Sequence, residues 1–246
     1  MRFVLGLALT LLLITTCGCN KSELDSIHTN WKKLPVPPAT GAIVLEQAKT
    51  SPCTWYVQEK GNRVTIQRVS VLTINLPRES RVQFAGGTLV GEDRGEFGGS
   101  LSVSATSNQT TRQILSKNVL QMFPMRDGVT VITGDLASNQ GSVWSYSSEG
   151  DNGWSIHKKA DLHGYPRIIG KSGDRLLFAY GDAVSTMEDF NELQIAPLPL
   201  LDVHPNSIAR DAKGYIYVGM NAFVVRLVPD PHGYSPQWFT QGDCLR

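Results

Sequence analysis

The sequence predicts an all-β protein built as one large domain. Three observations carry that expectation. From Gly41 onward the apolar residues fall in short alternating or β-branched runs, with little helical periodicity. Gly, Asn, Asp or Pro separates most of those runs, which is the grammar of strands and turns. A pattern of short strand, polar turn and stronger strand ending in glycine then recurs four times.

Residues 1–18 precede that domain and read as an export signal. Arg2 supplies the positive start, Phe3–Ile14 form an uncharged apolar run, and small residues follow. The run is shorter than the about 20 apolar residues a membrane span needs. Its end, "LLLITTCGCN", resembles bacterial lipoprotein signals, where a small residue precedes a cysteine that is acylated and becomes the first residue. "ITTC" would place the acyl group on Cys17 and "TCGC" on Cys19. The chain has four cysteines: Cys17, Cys19, Cys53 and Cys244. Cleavage before Cys19 leaves Cys53 and Cys244 to pair in an oxidising compartment, whereas cleavage before Cys17 leaves an odd thiol, so Cys19 is preferred. The resemblance implies a lipid bilayer anchor through acylated Cys19. By the same resemblance, Asn20 in place of the aspartate associated with inner-membrane retention implies the outer membrane, the alternative being a secreted or soluble periplasmic protein.

Residues 19–40 are expected to be a lipidated N-terminus and spacer. "LPVPP" (Leu34–Pro38) suits neither a helix interior nor a central strand, because proline lacks the amide donor. An ordered arm over Ser26–Lys33 is the alternative for part of it. Residues 41–246 form the expected domain, beginning with "AIVLE", "TWYVQ" and "RVTIQRVSVLTI" as strands.

The four repeats are "VQFAGGTLVGED", "MFPMRDGVTVITGD", "IIGKSGDRLLFAYGD" and "SIARDAKGYIYVGMN". Their marker glycines, Gly91, Gly134, Gly181 and Gly219, lie 43, 47 and 38 residues apart. Each is followed by two further strand-like runs, the first pair being "SLSVSA" and "TRQILS". Four short strands per repeat of this length define a β-propeller blade. Gly41–Leu76 has strands for one more, so five blades are expected, with six blades or a β-sandwich as alternatives. A ring must join its ends or leave a sheet edge exposed, and a Cys53–Cys244 disulfide would lock that junction.

"LLFAYGDAVSTMEDFNELQ" resembles the repeats of Asp-box propellers of the sialidase and photosystem-assembly types. Asp189 matches the box aspartate, Asn191 replaces the glycine, and Gln194 stands where tryptophan is usual. "SSEGDNGWS" offers Asp151, Gly153 and Trp154 in compressed spacing. The box in that family is a structural turn, so the resemblance implies a fold rather than an activity.

The formal charge is +1, and removal of Arg2 with the signal brings it to neutrality, which argues against a general nucleic-acid binder. The histidines (His28, His157, His163, His204, His232) show no metal-ligand spacing, though His163 and His204 precede equivalent strands. "GGTLVGED" places Glu92 and Asp93 where a phosphate loop needs lysine and a hydroxyl. The acidic turns "GEDRGE" and "SSEGDNG" lack calcium-loop order. Neither a metal nor a cofactor is expected. Arg81, Arg126, Arg167 and Arg210 are the arginines a sialidase-type funnel would draw on. Tyr165, Tyr180, Tyr215, Tyr217, Phe223, Tyr234 and Trp238 crowd the last two repeats, as core or as interface. Two functions follow as expectations: a non-enzymatic protein-binding scaffold (an envelope assembly factor or a toxin-neutralising protein), or a sialidase- or lactonase-like hydrolase at the propeller funnel.

Overall fold

A computed structural model describes residues 31–34, 42–69, 79–105, 110–149, 153–198 and 203–245. The export signal, Cys17, Cys19 and all of the expected spacer except residues 31–34 lie outside them.

In chain order the elements begin with β1 (Trp31–Lys33), helix α1 (Ala42–Lys49), β2 (Thr54–Lys60) and β3 (Arg63–Val69). The next group is β4 (Glu79–Phe84), β5 (Gly87–Glu92), β6 (Ser100–Ala105) and β7 (Thr111–Leu115). It is followed by β8 (Val119–Met125), β9 (Gly128–Asp135), β10 (Gln140–Ser148) and β11 (Trp154–Asp161). Then come β12 (Ile168–Ser172), β13 (Arg175–Ala179), β14 (Ala183–Glu188) and β15 (Asn191–Pro197). The last are β16 (Pro205–Arg210), β17 (Ile216–Met220), β18 (Val224–Asp230) and β19 (Gly233–Gln241).

Within each sheet neighbouring strands pair antiparallel and, β1 apart, follow chain order, so the chain folds as a series of meandering sheets. Three hold four strands each: β4–β7, β8–β11 and β12–β15. The sheet of β16–β19 gains β1 as a fifth strand on its outer edge, in the register Trp31↔Gln241. Among the described residues, the sheet of β2 and β3 has two. The arrangement is all-β and propeller-like.

Two expectations are corrected here. "AIVLE" is not a strand: it opens α1. Glu46, Gln47, Ala48 and Lys49 are strong helix formers that outweigh the branched residues before them, and Lys49 pairs with Glu46 at 3.0 Å one turn back. The sheets are also not uniformly four-stranded. Trp31–Lys33, within residues 19–40, make the last sheet five-stranded by covering the edge of β19. The ordered-arm alternative describes these residues.

Packing between sheets follows sequence order. Leu89 and Leu101 meet Val119, Val131 and Tyr146 between the second and third sheets. Ile132 and Val143 meet Phe178 and Tyr180 between the third and fourth. The largest cluster joins the fourth and last sheets to β2–β3, around Tyr217, Phe223, Trp238 and Trp55. Among the described residues, none of these clusters joins β2–β3 to β4–β7.

The marker glycines acquire a physical meaning from this packing. A Cβ on Gly91 would strike the Val119 side chain, one on Gly134 would lie 2.9 Å from the Tyr165 ring of the β11–β12 connection, and one on Gly219 would fall on the Trp55 carbonyl. They are points where the next sheet or its connecting segment approaches too closely for a side chain. Gly181 departs from the pattern, because open space surrounds it. In its sheet the close approach falls on Gly170, against Ile208 of β16.

The junction of β2 with the last sheet is tied several times. Cys53 and Cys244 form a disulfide with Cα atoms 5.4 Å apart. The Ala222 amide donates to the Cys53 carbonyl at 2.9 Å, and Thr54 Oγ1 to Asn221 Oδ1 at 3.1 Å. The Val57 amide donates to Ser207 Oγ, and Arg68 pairs with Asp243 at 2.8 Å. No helix among the described residues is long and apolar enough to cross a membrane.

Candidate functional site

Up-and-down strands sort their connections onto two ends. The β5–β6, β9–β10 and β13–β14 loops lie at one end with the β7–β8 and β11–β12 connections; the tight β4–β5, β8–β9 and β12–β13 hairpins lie at the other.

The loop end holds the candidate surface. The β5–β6 connection carries a single 3-10 turn, Gly95–Phe97. Asp93 Oδ1 accepts from the Gly95 amide at 2.9 Å. Asn118, from the β7–β8 connection, brackets the turn: its Oδ1 accepts from the Arg94 amide and its Nδ2 donates to the Gly95 carbonyl at 2.7 Å. Gly95 and Gly98 take left-handed backbone angles of +60° and +74°, which side chains other than glycine rarely adopt. The loop is therefore fixed, yet Phe97 points into solvent with 92% of its surface exposed.

The β9–β10 loop repeats this motif. Asp135 accepts from the Ala137 amide at 3.0 Å and from Ser138 Oγ at 2.8 Å. The Ser138 hydroxyl, then the Ala137 amide, hold its carboxyl below the usual carboxylate range. Beside it, Leu136 is 53% exposed. Asn139 Oδ1 then accepts from the Tyr165 amide at 3.1 Å, joining this loop to the β11–β12 connection.

Between them lies a cleft of about 220 Å³, lined by residues including Asn139, His163, Tyr165, Arg167, Tyr180 and Asp182. His163 Nε2 is 3.5 Å from Asp182 and its ring meets Tyr180 edge-on. The Arg167 guanidinium lies over the Tyr165 ring. Beneath, Tyr180 is buried and donates to Glu192 Oε1 at 2.5 Å; Ser185 donates to the same oxygen. The His163 amide donates to Glu192 Oε2 at 2.8 Å. Burial, then the Glu192 hydrogen bond, push the Tyr180 hydroxyl far above its ordinary range. The Glu192 carboxylate thus fastens the β11–β12 connection to β15, and the base of the cleft is a structural tie.

At the hairpin end a wedge of about 370 Å³ opens between the third and fourth sheets, lined by Arg126, Lys159, Asp174, Asp189 and Phe190 among others. Asp189 and Phe190 form the two-residue β14–β15 turn, both with positive φ, as a tight hairpin of this twist requires. Of the residues matched to the Asp-box, Asp189 lies in this turn, Asn191 and Gln194 lie in β15, and Asp151 falls outside the described residues.

The arginines do not converge. Arg167 lies at the loop end; Arg126, in the β8–β9 hairpin, and Arg210, closing β16, lie at the other. Arg81 pairs with Glu79 at 2.6 Å within β4. His157 meets Ser155 Oγ at 2.8 Å and Glu149 at 2.5 Å, but both contact Nε2, whereas a proton relay uses the two ring nitrogens separately. Among the described residues one group of three potential metal ligands occurs, Cys53, Asp243 and Cys244, and its sulfurs are bonded to each other. The aromatics of the last repeats are largely core: Tyr217, Phe223 and Trp238 are buried. Sequence reading missed Phe97 and Leu136; the only signal was an apolar residue set inside a polar, glycine-rich loop.

The fold and this surface define a propeller-like all-β protein with fixed loops at one end. Neither a known protein family nor a curated protein matches the chain. Solved structures of similar shape include the N-terminal domain of Nup159, 10% identical with a TM-score of 0.45, covering 85% of this chain and 67% of that one. Another is a S. cerevisiae complex of a Dbp5 variant bound to Nup159, a Gle1 variant, IP6 and ADP. It is 10% identical with a TM-score of 0.44, covering 85% and 65%. At that identity and similarity the likeness bears on neither the activity nor the partners of this chain.

Proposed function

We propose that this chain is a non-enzymatic, protein-binding lipoprotein of the bacterial envelope, anchored in the outer membrane through acylated Cys19 and facing the periplasm. In this reading its sheets are five blades of a ring, of degenerate Asp-box type, and β1 with the Cys53–Cys244 bond seals it. The loop end is the binding face.

One observation carries the proposal. Phe97 stands almost fully exposed on a loop that Asn118 and Asp93 hold in one shape. A fixed loop gives up little conformational freedom on docking, and aromatic side chains dominate the energetics of protein interfaces. The hydrolase alternative needs arginines and carboxylates gathered at one mouth, and Arg126, Arg167 and Arg210 are divided between two ends.

The test is co-purification of the detergent-extracted, acylated protein from its membranes, with the complex resolved by size and its components identified by mass spectrometry. A stoichiometric protein partner is expected. A monomer that instead cleaves sialosides or lactones would overturn the proposal.

A further inference from the structure

The chemistry of the loop end narrows the kind of partner it fits. Residues 92–99 contain Glu92, Asp93, Arg94 and Glu96, three acids to one base. Glu92 and Arg94 pair at 2.6 Å and neutralise each other, which leaves Asp93 and Glu96 flanking the exposed Phe97. The neighbouring loop sets ionised Asp135 against exposed Leu136, with Lys117 as the nearby cation. Hydrogen bonds join the two loops: Asn118, which brackets the Gly95–Phe97 turn, also accepts from the Gly134 amide through its carbonyl at 3.1 Å, and Asn139 holds the Tyr165 amide. The two apolar side chains with their acids thus belong to one surface. Cations on that surface are Lys117, His163 when protonated, and Arg167, the last two beside Asp182.

We infer that this surface docks a basic amphipathic segment of a protein, whose apolar side chains enclose Phe97 and cover Leu136 while its Lys or Arg residues meet Asp93, Glu96 and Asp135. The inference rests on the protein-binding reading above and specifies it. An isolated exposed phenylalanine could also enter a lipid surface, but acidic neighbours are repelled by anionic headgroups. Opposite charges around an apolar anchor instead steer a basic partner into register.

The experiment is selection of random 16-residue peptides displayed on phage against the purified full-length protein, followed by titration of the winning peptides. Selected peptides should combine aliphatic or aromatic residues with several Lys or Arg, and their binding should weaken as salt rises. Phe97→Ala should weaken it by about ten- to a hundred-fold, the range expected for one buried phenyl ring. Glu96→Lys should also weaken it. Both variants should melt at the wild-type temperature, because both side chains face solvent. Neutral or acidic winners, winners that bind Phe97→Ala as tightly as wild type, or the absence of any Phe97-dependent binder would overturn the inference. So would Phe97-dependent adsorption of the Cys19→Ala protein to phosphatidylcholine vesicles in place of peptide binding. A partner that co-purifies equally with wild type and Phe97→Ala would defeat this inference and leave the protein-binding reading standing.

Discussion

Removing the Cys53–Cys244 bond is the sharpest test of how the chain ends are held. The bond spans 191 residues, so it restricts the unfolded chain strongly. For a loop of that length the chain-entropy relation gives roughly 5 kcal/mol. The folded geometry does not depend on the sulfurs alone, since the Ala222 amide, Thr54, Val57 and Arg68 bind the same junction. The double variant Cys53→Ala, Cys244→Ala should therefore fold and lose mainly the unfolded-state contribution. With a urea dependence of about 2–3 kcal/mol per molar, its midpoint should fall by about 2 M. Tryptophan fluorescence reports the transition, because Trp55 and Trp238 are both buried in the junction core. Wild type unfolded with reductant should coincide with the double variant, and oxidised wild type should stand apart. Coincident midpoints for all three samples would refute the reasoning.

Further expectations follow from the close contacts and the buried tyrosine. Gly219→Ala should destabilise by about 1–3 kcal/mol, since its methyl group meets the Trp55 carbonyl and Ser207; Gly181→Ala, which meets nothing, should shift the melting temperature little. Tyr180→Phe removes a donor from Glu192 and should cost about 1–2 kcal/mol at neutral pH. Because the folded protein holds the Tyr180 proton more tightly than the unfolded chain, its contribution is complete below pH 10.0 and declines as pH rises above it. Melting curves between pH 8 and 11 should fall more steeply for wild type than for Tyr180→Phe, and parallel curves would contradict this. Cys19→Ala should release the protein from membranes in a carbonate wash, with retention unchanged as the opposing result.

The strands were legible because their side chains obey local rules. "VTVITG", "RLLFA" and "YIYVG" each carry the β-branched and aromatic residues a pleated, buried strand accepts, and they became β9, β13 and β17. The marker glycines were legible for a different reason: Gly91, Gly134 and Gly219 sit where the chain approaches itself from the next repeat or its connecting segment. The pairing of Cys53 with Cys244 could be anticipated by counting. Helix α1 was not, because Ile43 and Val44 have strand character and the decisive helix formers come after them. The site was hidden more deeply. Aromatic residues look alike in a sequence whether they fill a core, as Tyr217 and Trp238 do, or face water, as Phe97 does. What separates them is the scaffold of Asn118 and Asp93 under a glycine-rich turn, which places Phe97 clear of any neighbour.

The pairing of β1 with β19 also has a temporal side. A ribosome makes Trp31 long before Gln241, yet the two are partners. Throughout synthesis the early strand has nowhere to settle, since long-range pairings form only once their distant halves exist. Cys53 waits in the same way for Cys244. A chain ending before Phe239 would thus lack the edge cover and the cross-link at once.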